Sequence, residues 1–302
     1  MKKVSVILTT YNSENYVQRT IESIQHQLGI GEKFGLELIV VDDCSTDNTL
    51  EILKRNNLIY LSTGKNSGGP NLGRNIGLKA ASGDYICIAD HDDEWKENRI
   101  ISLLPHLENV PIVTSGYTLI DNAKSKKIER VKQNKDTFVF YKKNVTFLNK
   151  LSKSLSGQNT YLGSIIYTRE LKDILFEENF GMVDFDWILR LFHQNPSIEV
   201  CDSLYNRYVD GSNLSLDEAY RIKDFNHSLM FIRKYESLYP NEVRISYKKI
   251  HGSMGRYYYM MNNMKEARFY FLRSGFGLKT LAYFITTYFG SGYVKKKYNV
   301  FG

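Results

Sequence analysis

Short apolar runs alternate with amphipathic segments along roughly the first 90 residues. Apolar runs at 4–8, 36–41, 59–61 and 85–89 predict buried strands. Helices are predicted between them, one through Val17, Ile21 and Ile24, one through Leu50 and Leu53, and one over about 73–81. This alternation predicts an α/β fold with a mostly parallel central sheet covered by helices. Asn12 or Ser13 is expected to cap the first helix.

The pattern changes after about residue 100. Residues 111–215 mix strand-like and helix-like segments, and from about 216 the chain is mostly helical in pattern. Tyr257–Met261 followed by Ala267–Phe271 predicts a helical hairpin. We therefore expect a first domain over 1–216, divided into halves at about residue 100, and a helical region over 217–302.

Composition narrows the class of protein. The 302 residues are 42% hydrophobic and 24% charged, which is ordinary for a globular chain and argues against disorder. The net charge of +7 suits an anionic partner, although the basic clusters at 124–135 and 295–297 can equally be solvated surface. From the charge alone, that partner could be a nucleotide or a phospholipid surface, and we expect no nucleic acid.

Cysteine usage and the apolar segments bear on the compartment. Three cysteines lie far apart with no C-x-x-C pair, which argues against disulfides and a thiolate zinc site and suits a reducing cytoplasm. The apolar start at Val4 is too short for a signal-peptide core, and the run 281–289 is about half a membrane span. We expect a cytoplasmic protein with no segment that crosses a membrane.

Three polar clusters follow predicted strands directly. They are Thr9–Asn12, Asp42–Asp43 and Asp90–Asp93. In open α/β sheets, ligands bind outside the carboxyl ends of the strands, so these clusters are predicted to converge at one edge. Three clusters that are far apart in sequence but share one edge predict a binding site.

The third cluster predicts a metal site. Asp90, Asp92, Asp93 and Glu94 fall within five residues of a strand end and repel one another unless a cation joins them. Hard divalent cations take carboxylate oxygens and bring a substrate diphosphate with them. The alternative is a solvated acidic turn, and His91 is expected to point away from the ligand set.

Two further segments contain candidate chemistry. Gly68–Asn75 is a glycine-rich segment that lets the backbone approach a phosphate or base, with Arg74 as a fixed charge. Asp184 and Asp186 precede an apolar helical run, where either could cap the helix or act as a base for an acceptor hydroxyl. No G-x-G-x-x-G follows the first strand and no P-loop motif occurs, which argues against a dinucleotide oxidoreductase and a P-loop enzyme.

The chain resembles glycosyltransferase family 2, the inverting GT-A type enzymes that often build bacterial cell-surface glycans. The resemblance lies in Val4–Asn12, Val40–Asp47, Gly73–Gly77, Gly83–Tyr85 and Asp90–Asp93, in the family's order and spacing. A weaker match extends through Gly163–Tyr167 and the Asp184 segment to about residue 215. It implies a GT-A (Rossmann-like) nucleotide-sugar domain whose halves bind the nucleotide (1–100) and the acceptor (101–216).

The resemblance implies a role for each matching residue. Thr9, Tyr11 and Asp43 would hold the base, usually uracil, with Arg74 beside them. Asp90 and Asp92 would form the D-x-D pair, with Asp92 on Mn²⁺ or Mg²⁺ and Asp90 on the ribose or the metal shell. Asp184 would be the catalytic base of a UDP-sugar-dependent transfer that inverts the anomeric carbon.

Two departures from the family pattern matter. Val183 stands where the family often has Glu before the base, and the histidine that touches the diphosphate in many relatives is missing from Tyr205–Ser215. Arg207, Ser212 or Ser215 could contact the diphosphate instead, and Asp93 is a further candidate for diphosphate or acceptor contact. Gln158, Asn159 and Tyr161 are candidates for the sugar pocket or acceptor cleft.

The expected activity is transfer of a hexose or N-acetylhexosamine to a glycan, lipid-linked or polymer acceptor. The aromatic and basic residues of 278–301 suggest peripheral contact with the inner face of the cell membrane, or packing on the protein itself or in a homo-oligomer. Two rivals remain open. One is a nucleotidyltransferase, disfavoured by the lack of an early glycine-rich loop with Arg and Lys, and the other is a non-catalytic nucleotide-binding scaffold.

Overall fold

The computed structural model of the protein describes residues 1–122, 125–154, 156–179, 184–209, 218–275 and 277–292. The chain divides into two compact units. The first comprises Met1–Asn149 and Ser156–Asn213, and the second comprises Lys150–Leu155 and Leu214–Gly302. The division expected between 216 and 217 falls within 210–217, outside the described residues.

Ten strands form one sheet in the first unit. They are β1 (Lys3–Thr10), β2 (Gly35–Asp42), β3 (Tyr60–Ser62), β4 (Tyr85–Asp90), β5 (Glu94–Trp95), β6 (Ile112–Asp121), β7 (Lys126–Arg130), β8 (Phe138–Tyr141), β9 (Ile166–Thr168) and β10 (Ser197–Val209). The strand order is β3-β2-β1-β4-β9-β6-β10-β5, with β7 paired to β6 and β8 to β10. The four strands predicted within the first 90 residues are all present.

The sheet is mixed, so the expectation of a mostly parallel sheet holds only in part. β3, β2, β1 and β4 are parallel, as are β6 and β10. β9 runs antiparallel between β4 and β6, and β5, β7 and β8 are also antiparallel. Successive strands among β1, β2, β3 and β4 are each separated by one helix, which is the crossover that a parallel pair requires.

Six α-helices begin within the first unit. They are α1 (Val17–Gln25), α2 (Thr49–Arg55), α3 (Pro70–Ala80), α4 (Arg99–Leu103), α5 (Val145–Leu151) and α6 (Phe185–Phe192). The first three confirm the helices predicted from the apolar pattern.

The cap predicted for α1 is wrong. Tyr16 occupies the cap position and its side chain makes no capping bond. A turn precedes the helix, in which the Ser13 carbonyl accepts the amides of Tyr16 and Val17. The Asn12 side chain instead accepts the Thr46 amide at 2.8 Å, so it links two loops.

Two glycines one helical turn apart let α3 lie directly on β1. A Cβ at Gly77 would meet Ile7 Cγ2 at 2.4 Å, and one at Gly73 would meet Thr9 Cγ2 at 3.0 Å. Any larger residue would push the helix off the sheet, because buried cores are close-packed. The Gly73–Gly77 spacing therefore fixes the distance between α3 and the carboxyl end of β1.

The second unit is helical, as the pattern predicted. Its helices are α7 (Glu218–Arg233), α8 (Pro240–Met260), α9 (Met264–Ser274) and α10 (Leu278–Thr286). α8 and α9 form the expected hairpin around a core of Tyr259, Met260, Ala267 and Phe271. Among the described helices, none is both long enough and apolar enough to cross a bilayer.

Candidate active site

The carboxyl ends of β1, β2 and β4 meet at one edge of the sheet. β1 lies between the other two, which places Thr9 beside Asp90 and Thr10 beside Asp42. The three polar clusters therefore converge as the sequence predicted. This edge of the sheet is the base of the candidate site.

Asp42 organises the loop after β2. Its carboxylate accepts the Thr10 hydroxyl at 2.9 Å and both the amide and the hydroxyl of Ser45, at 2.9 and 2.6 Å. The side chain is almost fully buried. A carboxylate with three such donors is stabilised as a loop anchor.

Asp43, a predicted base-binding residue, is also buried. Its two oxygens both accept the Ser67 amide at 3.0 Å, and one accepts the Ser67 hydroxyl at 3.0 Å. Asp43 thus connects β2 to the glycine-rich segment before α3. Thr9 is buried too, whereas the Tyr11 side chain is 43% exposed.

Arg74 joins α3 to the acidic turn. Its Nη2 donates to Asp90 Oδ1 at 2.8 Å, and its Nη1 donates to Asn71 Oδ1 at 3.2 Å. The guanidinium is buried and lies 5.2 Å from the ring centroid of Phe176. Because Arg74 is held from three sides, it places a fixed positive charge at the end of β4.

The acidic turn after β4 concentrates negative charge. Burial raises the pKa of Asp92, and Asp90 raises it further. Burial also raises the pKa of Asp93 well above its ordinary value, with added repulsion from Asp90 and Asp92 and partial relief from Arg207 and Arg99. Such a cluster favours a bound cation, because opposite charge stabilises the ionised carboxylates.

A polar stripe on α1 holds this turn in place, and the sequence analysis missed it. Arg19 Nη2 donates to the Asp92 carbonyl at 2.9 Å, and the Thr20 hydroxyl contacts the carbonyls of His91 and Asp93. One turn further, Ser23 Oγ accepts the Trp95 amide, and Gln27 donates to the Lys96 carbonyl. The spacing of Arg19, Ser23 and Gln27, four residues apart, was the available signal.

Within the described ranges, no group of three or more His, Cys, Asp or Glu side chains converges on a point. Asp90 is shared with Arg74, which leaves Asp92 as the freer carboxylate of the pair. Two carboxylates fit a Mg²⁺-like or Mn²⁺-like ion that completes its shell with waters and substrate phosphates, rather than an all-protein cage.

Asp184 and Asp186 have different surroundings. Asp184 is half-buried at the cap position of α6. Asp186 is fully buried and its Oδ2 accepts Arg190 Nη2 at 2.7 Å across one helical turn. The residue pattern alone did not show which of the two acids could act as a base. Asp186 forms an ion pair within α6, whereas Asp184 is partly open to solvent. Val183 lies outside the described residues.

The segment before Asp184 is anchored to α3. Asn75 donates to the Phe176 carbonyl at 2.9 Å and accepts the Phe176 amide at 2.7 Å. Asn71 donates to the Glu177 carbonyl at 2.9 Å, and Phe176 stacks on Trp187 of α6. α3 therefore links the Asp90 end of the sheet to the chain that leads into Asp184.

The other predicted contacts are placed as follows. Arg207 of β10 lies over the ring of Tyr161 at 4.8 Å, and although burial lowers its pKa, the Tyr161 and Asp93 groups raise it overall. Asn159 donates to the Ser115 carbonyl at 2.5 Å. The Gln158 side chain is buried, and both ends of its amide form hydrogen bonds within a network of Thr114, Thr146 and Ser197. Ser212 and Ser215 lie outside the described residues.

Comparison with known proteins covers both sequence and fold. The sequence model of Glycosyl transferase family 2 matches residues 5–175. The poly(ribitol-phosphate) β-N-acetylglucosaminyltransferase TarS of Staphylococcus aureus is 43% identical over 97 residues, which is 31% of this chain and 17% of TarS. The chain thus spans less than a fifth of that relative. The corresponding TarP of the same species is 26% identical over 271 residues, 85% of this chain and 78% of TarP.

Two solved structures show the same fold at low identity. TarS 1–349 of S. aureus in complex with UDP-GlcNAc aligns with a TM-score of 0.60 at 21% identity, covering 99% of this chain and 94% of that one. The mannosyltransferase PcManGT of Pyrobaculum calidifontis, in complex with GDP-Man and Mn²⁺, gives 0.60 at 19%, covering 99% and 81%. These likenesses confirm the α/β GT-A type fold. With more than half of its residues matched by the family model, the chain belongs to glycosyl transferase family 2.

Proposed function

We propose that the protein transfers a hexose or N-acetylhexosamine from a UDP-sugar to a hydroxyl of a cell-surface glycan, with inversion at the anomeric carbon. The observation that carries this proposal is the convergence of Thr9, Asp43, Arg74 and Asp90 at one sheet edge. Ligands of open α/β sheets bind outside such an edge. UDP and UDP-GlcNAc are bound by the TarS structures to which this fold is similar, which favours uridine.

The nucleotide would lie along the ends of β1 and β2. Tyr11 offers an exposed side chain for stacking on the base, and Thr9 and Asp43 are buried at the same sheet edge. Asp43 already accepts hydrogen bonds from the amide and the hydroxyl of Ser67. The base would therefore contact both Asp43 and the glycine-rich segment that Asp43 holds in place. Arg74 would set the position of Asp90, which would contact the ribose.

Asp92, with Asp90, would hold Mn²⁺ or Mg²⁺. The bound cation supplies charge neutralisation at the leaving diphosphate. The residues of this chain do the rest. Arg19 and Thr20 fix the backbone of the acidic turn, and Arg207 adds a positive charge on the Asp93 side, where a diphosphate contact is needed.

Asp184 would act as the base. The acceptor oxygen attacks the anomeric carbon and forms the new glycosidic bond, while the bond from that carbon to the diphosphate oxygen breaks. The electron pair leaves with UDP, and the hydroxyl proton passes to the Asp184 carboxylate. Half-burial at the start of α6 suits this role, whereas Asp186 is committed to Arg190.

The acceptor is proposed from the relatives. TarS and TarP are named for action on poly(ribitol-phosphate), a polyol-phosphate polymer. We infer a polymer or lipid-linked acceptor of that kind, presented at the inner face of the membrane. Peripheral membrane contact through 278–301 stays a prediction; α10 has no buried residue, and 293–302 lie outside the described residues.

The test is UDP release from UDP-GlcNAc, UDP-glucose and UDP-galactose with a polyol-phosphate acceptor, and the anomeric configuration of the product by NMR. Asp184→Asn is expected to lower turnover by about 10²–10⁴-fold while donor binding persists. Asp173→Asn, an exposed acid of the same region, is the matched control and should leave turnover unchanged. Undiminished turnover in Asp184→Asn would refute the assignment of the base.

The same assay separates the rivals. Release of pyrophosphate from a nucleoside triphosphate, with no turnover of sugar nucleotides, would identify a nucleotidyltransferase. Nucleotide binding with no turnover of either substrate would identify a scaffold. Thermal shifts with UDP, GDP, CDP and dTDP, each with and without Mn²⁺, identify the base, because a ligand of the folded state raises its stability.

A further inference from the structure

The second unit contains a cavity of about 390 Å³ between α7 and α8. A volume of this size falls in the range of small-molecule sites. All of its lining residues belong to the helical unit, and none of them belongs to the sheet edge described above. Five cations and one carboxylate line it: Lys153, Arg221, Lys249, Arg256, Lys279 and Asp224.

Most of these positive charges have no ionic partner in the part of the chain that the structure describes. Four of the five cations, all but Lys153, form no ion pair within the described part of the chain. The one acid, Asp224, contacts the Ser228 hydroxyl at 3.4 Å. Like charges gathered around a cavity repel one another and are relieved by a bound anion.

Two arginines point to a specific site rather than a solvated surface. Arg221 Nε is buried and has no hydrogen-bond partner among the described residues. Burial lowers the pKa of Arg256, and only the Tyr283 group opposes that effect. Arg221 and Arg256 both line the cavity, and because neither forms an ion pair among the described residues, their charge is available to an anion bound there.

Other contacts hold the cavity open. Lys249 Nζ donates to the carbonyls of Ser152 and Lys153, each at 2.9 Å, and so fixes that short segment against α8. The Arg221 guanidinium of α7 lies 5.9 Å from the ring centroid of Tyr257 on α8, so this pair connects the two helices. The site is thus built by several elements before any ligand arrives.

We propose that this cavity binds a phosphate group carried by a polyol, as a monoester or diester. Guanidinium forks and ammonium groups arranged around a cavity suit the several oxygens of phosphate better than a planar carboxylate, which one fork satisfies. The volume exceeds that of phosphate alone and leaves room for an attached polyol or sugar. The hydroxyls of Ser228 and Ser253 and the ring of Tyr257 line that remaining space.

The test uses the full chain and isothermal titration at low salt with inorganic phosphate, glycerol 3-phosphate and glycerophosphoglycerol. Saturable binding is expected, and the double variant Arg221→Gln/Arg256→Gln should weaken it by about tenfold or more, since hydrogen bonds to charged groups are lost. The matched control Lys223→Gln/Arg244→Gln removes two charges from the same two helices at exposed positions outside the cavity. It should change the affinity by less than about twofold.

A third variant distinguishes a loss of phosphate binding from a loss of folding. Lys279 is exposed, so Lys279→Gln should change the free energy of unfolding by less than about 0.5 kcal/mol and should weaken phosphate binding by about threefold. Binding of glycerol 3-phosphate and not of vesicles with phosphatidylglycerol identifies a soluble phosphate ester, and the reverse identifies a lipid headgroup as the source. No saturable binding, or equal weakening in both double variants, would overturn the proposal. UDP binding by each variant reports the sheet-edge site separately, so either proposal can fail alone.

Discussion

Asn75 and Phe176 exchange two hydrogen bonds: the Phe176 amide donates to Asn75 Oδ1 at 2.7 Å, and Asn75 Nδ2 donates to the Phe176 carbonyl at 2.9 Å. The Asn75 side chain thus satisfies both backbone hydrogen-bonding groups of Phe176, as a neighbouring β-strand would, although the two residues are 101 positions apart. Asn75 is buried, and the next residue of its helix toward the N-terminus, Arg74, pairs with Asp90. One turn of α3 thus contacts both the acidic turn and the segment that precedes Asp184.

Asn75→Ala is expected to lower the free energy of unfolding by about 3 kcal/mol, because a buried amide and a buried carbonyl of Phe176 lose their partners. Turnover should fall further than stability explains, since the chain leading to Asp184 loses its anchor. Urea unfolding and steady-state kinetics measure the two effects. Asn179→Ala removes an exposed amide of the same segment and should change neither. Equal turnover in both variants would contradict the positioning role.

Gly77→Ala tests the packing of α3 on β1. The added Cβ would lie 2.4 Å from Ile7 Cγ2, and Ile7 is fully buried, so helix or strand must shift. We expect a loss of about 1–3 kcal/mol in the free energy of unfolding, measured in urea. Gly277→Ala, where a Cβ meets nothing within 4 Å, is the control and should change stability by less than about 0.5 kcal/mol. A stable Gly77→Ala variant would show that the contact relaxes.

The strands and helices of the first 90 residues were predictable because each is a local pattern. β1, β2 and β4 are apolar runs, and parallel pairing aligned their polar ends without further information. The later strands were less predictable, because β9 is short and lies outside the strand–helix alternation, and β10 carries two register shifts that break its period of two. Short or bulged strands leave no clear period of two.

The missed parts of the site depend on contacts between distant segments. Arg19 meets Asp92 across 73 positions, and Asp43 meets Ser67 across 24. The sequence shows that these residues are polar but not which surface they face. Gln158 illustrates the converse, since a polar residue in a suitable region turned out to be part of a buried network. Residue type alone does not distinguish a ligand contact from an internal hydrogen bond.

Asp186→Asn should separate stability from catalysis when compared with Asp184→Asn. Removing a charge from a buried ion pair usually costs about 3–5 kcal/mol. Arg190 is 35% exposed, so we expect about 2–3 kcal/mol. Asp184→Asn should cost less than about 1 kcal/mol in stability and lose turnover. Chemical denaturation and UDP release measure both quantities. The opposite pattern, with turnover lost only through Asp186, would exchange the two roles.

Glu37 gives the first unit a dependence on acid. Burial raises the pKa of its carboxyl, but hydrogen bonds from Ser5, Ser82 and Lys3 outweigh burial and lower the pKa from 4.5 to about 2. A lowered pKa in the folded state means that this contribution is fully present above pH 4.5 and is lost as the pH falls toward 2.

Glu37→Gln should therefore cost about 1–2 kcal/mol at pH 7, a figure reduced for the 26% exposure of the Glu37 side chain, and much less near pH 2.5. Urea unfolding at a series of pH values measures the difference between variant and parent. Glu51→Gln removes an exposed carboxylate that pairs with Lys54, so it is the control and should follow the parent to within about 0.5 kcal/mol at every pH. If the loss in the free energy of unfolding caused by Glu37→Gln stayed constant from pH 7 to 2.5, protonation of Glu37 would have no effect on stability. The ionised carboxylate would then not be the source of the stabilisation.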